Sequence, residues 1–294
     1  MLALGPRSPL PSYLGACLLF SACLLAIGCS TVPPLPPKAL ELNQNGAAAL
    51  AAGDLSTAEA RFSVALEYSP RFTEAWVNLG YVELRRGNLE RARKHFIKAR
   101  DLNPDLPAPH HALGLLADKR NLTGSRGLGG EAEGHYRQAL KVDPGFVPSR
   151  SNLARRLFHR NAFEDARDQY LRLTQVEPDA IAGYLGLAEC LFRLDREGEA
   201  DDVIGRARVR FGDVPELLLL VARQLLRREA FADAEEILAP LTDDADPSRA
   251  SAAWSWIGVA RLARKDLAGA RAAAREALAI DKDNAVAAQL LLGK

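Results

Sequence analysis

Residues of matching character recur every 34 positions along most of this 294-residue chain, and that spacing restricts the fold more than any single motif. Trp76, Leu79, Gly80, Ala92, Phe96, Ala99 and Pro104 form a reference set. One period earlier, Leu42, Asn45, Gly46, Ala58, Phe62, Ala65 and Pro70 hold the same slots. One period later come His110, Leu113 and Gly114, then, beyond an insertion, Ala132, Tyr136, Ala139 and Pro144. The series continues with Leu153, Ala154, Ala166, Tyr170 and Pro178, and with Tyr184, Leu187, Ala188, Ala200, Ile204 and Ala207. Leu218, Val221, Ala222, Ala234 and Leu238 follow, and after a slip of two residues Trp254, Ile257, Gly258, Ala270 and Ala277.

Each period predicts two helices, because its apolar positions fall at i, i+3, i+4 and i+7. In the second unit they are expected over Thr73 to Arg86 and Leu89 to Leu102. Gly87 tolerates the left-handed conformation that ends a helix, and Pro104 cannot continue one. Gly80 and Ala92 are expected to be small because the two helix backbones approach there, and Arg86 reads as an exposed residue beside the turn. One such hairpin cannot bury its own apolar face, so neighbours must stack and share a core.

A period of this length with this order of large, small and helix-ending residues resembles the tetratricopeptide repeat. The resemblance spans about Ala39 to Asn284. It implies an all-α fold, a right-handed α-solenoid with repeats near 39–72, 73–106, 107–146, 147–180, 181–214, 215–250 and 251–284 and an end helix at 285–294. In that family the first helix of each repeat lines a concave binding face. Carried onto the matching slots, this implies a partner surface of Asn43, Asn78, Tyr81, Arg85, His111, Asn152, Arg155, Phe158 and Phe192, with Leu115 and Arg223 in further slots. Asparagine amides suit the main chain of an extended peptide, and aromatic and Arg side chains are favoured at interface hot spots. A clamp for a chaperone-tail carboxylate is not implied, since Ala47, Ala108 and Ala112 occupy three of its slots.

The N-terminus reads as an address. One cation, Arg7, precedes an apolar run from about Leu14 to Ile27, the length of a signal-peptide core rather than of a membrane span. The run ends in Leu25-Ala26-Ile27-Gly28-Cys29, which resembles a bacterial lipobox. That resemblance implies a signal peptide at 1–28, a lipidated Cys29 and, with Ser30 rather than Asp next, a periplasm-facing outer-membrane location. Residues 30–38, STVPPLPPK, are expected to form an extended tether, at about 3.1 Å per residue.

Composition narrows the chemistry. Loss of residues 1–28 removes Arg7 and no acid, so the formal charge falls from +1 to 0, unlike a general nucleic-acid binder. Arg91, Arg93, Lys94, Lys98 and Arg100 form a basic run on one predicted helix, read first as a solvated face and second as a contact for anionic headgroups. Three of the four cysteines fall in the N-terminal segment, leaving Cys190 as a small packed residue that no internal disulfide can use. No HExxH, CxxC or GxSxG pattern occurs. His110 and His111 are adjacent, so they diverge around a helix and cannot chelate together. No catalytic residue, metal or cofactor is expected. The insertion NLTGSRGLGG, Asn121 to Gly130, reads as an extended turn, because its glycines lack the strand or Lys-Ser/Thr of a phosphate loop.

The expected function is a lipid-anchored scaffold that binds an envelope protein. Lipobox, short tether and repeats together resemble the pilotin-type lipoproteins that assist secretin assembly in type IV pili. The alternatives are a scaffold for cell-wall synthesis or outer-membrane protein insertion and, from a different class, an enzyme with a cryptic site near the insertion.

Overall fold

The computed structural model describes residues 34–122 and 129–292. Every described element is a helix. They run in pairs: α1 (Pro37–Ala51) with α2 (Leu55–Tyr68), α3 (Thr73–Arg86) with α4 (Leu89–Leu102), α5 (Pro107–Leu122) with α6 (Gly129–Val142), and α7 (Val147–His159) with α8 (Phe163–Val176). Next come α9 (Ile181–Arg193) with α10 (Glu197–Phe211), α11 (Pro215–Arg227) with α12 (Phe231–Leu238), α13 (Pro247–Ala263) with α14 (Leu267–Ile280), and α15 (Ala285–Leu291) at the end. Each helix packs on its partner and on the next pair, so the array is an α-solenoid whose core continues from repeat to repeat. Residues 36–294 form one compact unit by contact.

The turn inside a repeat is fixed by one left-handed residue. Gly53 and Gly87 take φ near +80° in the first two repeats, where the absence of Cβ makes this conformation free of penalty. The same position, 34 residues apart, holds Asn161, Asp195 and Glu229 at φ of 64°, 54° and 61°, and Lys265 follows at 67° after the two-residue slip. That slip lies where Pro240 stops α12 early and a 3-10 helix, Ala239–Asp243, carries the chain to α13.

In the first three repeats the small residue of the first helix makes room for a ring rather than for a backbone contact. A Cβ on Gly80 would lie 2.2 Å from the Phe96 ring, and one on Gly46 or Gly114 would meet Phe62 or Tyr136 at 2.6 or 2.5 Å. In the fourth repeat Ala154 already carries a Cβ, and Tyr170 instead places its ring over Gly186 of the next repeat, 2.2 Å from where a Cβ on that glycine would lie. Tyr170 thereby joins two core clusters, one around Leu153 and Leu157 and one around Leu187 and Ile204.

Three further expectations change. Pro37 and Lys38 belong to α1 rather than to the tether, because proline is tolerated in a first turn, and Lys38 reaches Glu41 at 2.8 Å. Asn121 and Leu122 extend α5, and Gly129 and Gly130 begin α6, so the non-helical part of the insertion is narrowed to 123–128, outside the described residues. Arg86 is not a passive turn residue: it pairs with Glu59 at 2.6 Å and with the buried carboxylate of Glu83 at 3.4 Å. The signal-like run, Cys29 and the first part of the tether also lie outside the described residues.

Candidate functional site

The first helix of each repeat presents the residues expected to meet a partner, and the structure sorts them into two groups and two exceptions. The first group sits on α1 and α3. Asn78 Nδ2 donates to Asn43 Oδ1 at 2.9 Å, joining equivalent regions of successive repeats. Arg85 donates to the Leu50 carbonyl near the end of α1, so its guanidinium clasps two repeats while its outer edge stays exposed. The Tyr81 ring lies edge-on to Phe96 with centroids 5.4 Å apart. Burial pushes its phenol up to about 12, so it stays neutral at physiological pH.

The second group sits on α7 and faces α9. Arg155 is exposed, with no acid paired to it, and donates to Asn152 Oδ1 at 2.6 Å. Beside it a cleft of about 200 Å³ opens among α7, α8 and the start of α9, with Ser151, Tyr170, Leu173, Glu177 and Gly183 in its walls. Phe158 is half-buried, edge-on to Phe163 at 5.3 Å, and the Arg193 guanidinium lies 5.6 Å from its ring centre, within cation–π range. This arrangement offers amide, guanidinium and phenyl groups to a ligand's main chain and side chains.

The exceptions are corrections. His111 is buried: its Nδ1 lies 3.0 Å from Ser149 Oγ and its ring packs against Tyr136 and Phe146. Desolvation lowers its pKa to about 4, so it is a neutral core histidine and not a partner contact. Phe192 is also buried, at 1% exposure. Arg223 and Arg227 cover its ring at 5.2 and 5.4 Å. In both cases a residue of the following repeat completes the burial, Ser149 for His111 and Arg223 with Arg227 for Phe192.

Sequence reasoning missed Arg193 and Glu189. Glu189 accepts from Arg193 Nε at 3.2 Å and from Arg223 of the next repeat. The signal was present: 155, 189 and 223 are spaced by 34, so a carboxylate sits between two arginines in one slot. Cys190 is buried, which pushes its thiol up to about 12 and leaves it a packed apolar group rather than a nucleophile. Among the described residues no group of three His, Cys, Asp or Glu side chains converges on a point where a metal could sit.

A second recurrent contact fixes the start of the second, third and fourth repeats. Trp76 Nε1 donates to the Pro70 carbonyl at 2.9 Å, and Arg150 does the same to Pro144. His110 lies 3.4 Å from the Pro104 carbonyl in the same slot. Three different donors serve one backbone acceptor, which accounts for a slot that reads as irregular in sequence.

Comparisons with known proteins agree with this architecture. Residues 44–107, 151–215 and 219–285 match the tetratricopeptide repeat family. Among solved structures, a tetratricopeptide repeat protein from Parabacteroides merdae is similar with a TM-score of 0.59 at 16% identity, over 87% of this chain and 98% of that one. Pseudomonas aeruginosa pilF is similar with a TM-score of 0.56 at 17% identity, over 76% of this chain and 97% of that one. Two curated relatives, the protein O-mannosyl-transferase TMTC3 of mouse and human, are 26% and 25% identical over 161 residues. That stretch is 50% of this chain and spans only 17% of those proteins' length. With the period, the paired helices and the family match in agreement, the chain belongs to the tetratricopeptide repeat family.

Proposed function

We propose that this protein is a non-catalytic scaffold, held to the periplasmic side of a bacterial outer membrane through a lipid on Cys29, that binds an extended segment of an envelope protein. Secretin assembly for type IV pili is the process it would assist. The observation that carries the binding reading is the cleft beside α7, which Arg155 lines while exposed and bonded to the half-exposed Asn152 rather than to an acid. The lipobox-like Cys29 and the proline-rich segment after it support the anchor. The likeness in fold to pilF is consistent with the assembly role.

The test is a crosslinking pull-down from membranes with the full-length chain as bait. Asn152→Ala with Arg155→Ala should lose the partner while circular dichroism and thermal unfolding stay close to wild type, since such exposed positions affect stability little. Tyr81 and Arg85 are poorer probes, because their removal also disturbs the packing of Phe96 and the clasp to Leu50. Undiminished recovery of the same envelope partner would move binding away from this face. Cys29→Ser, followed by membrane fractionation, tests the anchor separately: the variant should leave the outer-membrane fraction.

A further inference from the structure

A recurrent ion pair fastens the end of the first helix to the second helix of the preceding repeat in four places. Arg86 meets Glu59 at 2.6 Å, Arg160 meets Glu133 at 3.2 Å, and Arg228 meets Asp201, each across 27 residues. Arg264 meets Glu235 at 3.1 Å across 29, which includes the two-residue slip. The acid of this clasp is therefore specified at positions 59, 133, 201 and 235. In α4 and in α8 the same slot holds a charge of the opposite sign, Arg93 and Arg167; Arg167 is paired with Glu164 and Asp168, whereas Arg93 pairs with no acid among the described residues.

Arg93 is not an isolated exception on that helix. Arg91, Lys94 and Lys98 share the exposed side of α4 with it, and none of the four makes an ion pair with a described residue. Arg100 is occupied by Asp101 at 2.8 Å. The helix carries five cations against Glu90 and Asp101, while arginines elsewhere in the array are largely committed to carboxylates. Arg156 serves Asp118, Arg223 serves Glu189, and Arg249 serves both Asp244 and Glu216. Positive charge without a paired acid among the described residues is thus concentrated on α4.

We propose that the outer face of α4 docks on a bilayer surface containing anionic phospholipid. Arg91, Lys94 and Lys98, spaced i, i+3 and i+7, spread along about two turns of one helix face, which suits a plane of headgroups rather than a single anion held in a pocket. The formal charge of the repeat array is near zero, so this is a local patch and not a general polyanion-binding surface. The inference rests on the lipid-anchor reading: α4 lies in the second repeat, close in sequence to the segment that would carry the lipid, and a juxtamembrane basic face adds the second signal that stable orientation on a membrane needs.

The test uses residues 36–294, which form a compact unit on their own, with no lipid attached. Sedimentation with phosphatidylglycerol-rich vesicles should show binding that weakens with salt, and phosphatidylcholine vesicles should show none. Arg91→Ala, Lys94→Ala and Lys98→Ala together should lower the partition roughly 100-fold, at about one kcal/mol per cation near the surface. Arg271→Ala with Arg275→Ala, on the exposed face of α14, should change it little. Equal loss in both variants, or no binding to anionic vesicles, overturns the proposal. Retention of polyaspartate with no vesicle binding also overturns it and assigns the patch to an acidic protein. Because Cys29 is absent from this assay, its outcome is independent of the fractionation of Cys29→Ser.

Discussion

The first three repeats and the last three reach the same helical hairpin by different packing. In the early repeats a helix without a side chain at one position receives a ring: Gly46 takes Phe62, Gly80 takes Phe96 and Gly114 takes Tyr136. In the fifth and sixth repeats alanine fills that position and an aliphatic residue faces it, Ala188 with Ile204 and Ala222 with Leu238, all buried. The turns differ in the same direction. Glycine takes the left-handed position at 53 and 87, while Glu229 and Lys265 are forced into it later. The first three repeats are thus close-fitted around a ring, and the first two turn on a glycine without strain. The late repeats keep close fits of another kind, Gly186 under Tyr170 and Gly258 under Leu290, and carry non-glycine residues in their left-handed turns. The difference shows that a repeat's slot specifies a volume shared by two helices, and either helix can supply it.

The largest expected effect breaks the close fit. Gly80→Leu must displace Phe96, and overpacking of that kind costs about 1–3 kcal/mol or more. Ala222→Gly removes a methyl and loosens a helix by about 1 kcal/mol. Thermal unfolding of the two variants should show the larger fall for Gly80→Leu. An equal or reversed order would mean that the ring does not lock the early repeats.

Acid should separate the two ends next. All five histidines lie between His95 and His159, so the last three repeats contain none. His111 has its pKa lowered to about 4 by burial beside Tyr136, Phe146 and Ser149, with Asp118 opposing the shift. Burial lowers His95 and His135 as well. The unfolded chain binds these protons first. Their contribution is therefore fully present above about pH 6.5 and is lost as pH falls from there toward the folded value. Between pH 7 and 5 the expected loss for His111 is about 2 kcal/mol. In the late repeats Asp213 and Asp244, held low by Arg208 and Arg249, lose their contribution only as pH falls below the ordinary carboxylate range near 3.8. Hydrogen exchange at pH 7 and pH 5 should show opening confined to the second to fourth repeats, and His111→Gln should flatten the dependence there. Uniform acid sensitivity along the array would refute the contrast.

The smallest effect concerns the turns. A non-glycine residue in the left-handed region costs about 1–2 kcal/mol, partly offset by the extra freedom glycine gives the unfolded chain. Glu229→Gly and Lys265→Gly should each raise stability by up to about 1 kcal/mol, and Gly87→Ala should lower it by a similar amount. Melting temperatures of these three variants decide whether the late turns are strained.

The sequence alone determined the helices and their order, because the signals involved are local. The predicted Thr73–Arg86 and Leu89–Leu102 coincide with α3 and α4. Gly87 ends the first through its own φ, and Asn103-Pro104 limits the second without reference to the rest of the molecule. The slots that repeat every 34 residues likewise named Phe62, Phe96, Tyr136 and Leu238, all fully buried. What a side chain touches beyond its own hairpin was decided only by tertiary structure. His111 and Phe192 read as open positions on first helices, yet Ser149 and Phe146 cover one and Arg223 and Arg227 the other. Tyr170 sits in a ring slot of its own repeat and fills Gly186 in the next. Arg86 stands at an exposed turn and pairs with Glu59 across the interface. The reason is common to all of them: a helix period fixes the direction in which a residue leaves its axis, but stacking of the neighbouring repeat decides whether that direction ends in water, in a ring or in a carboxylate.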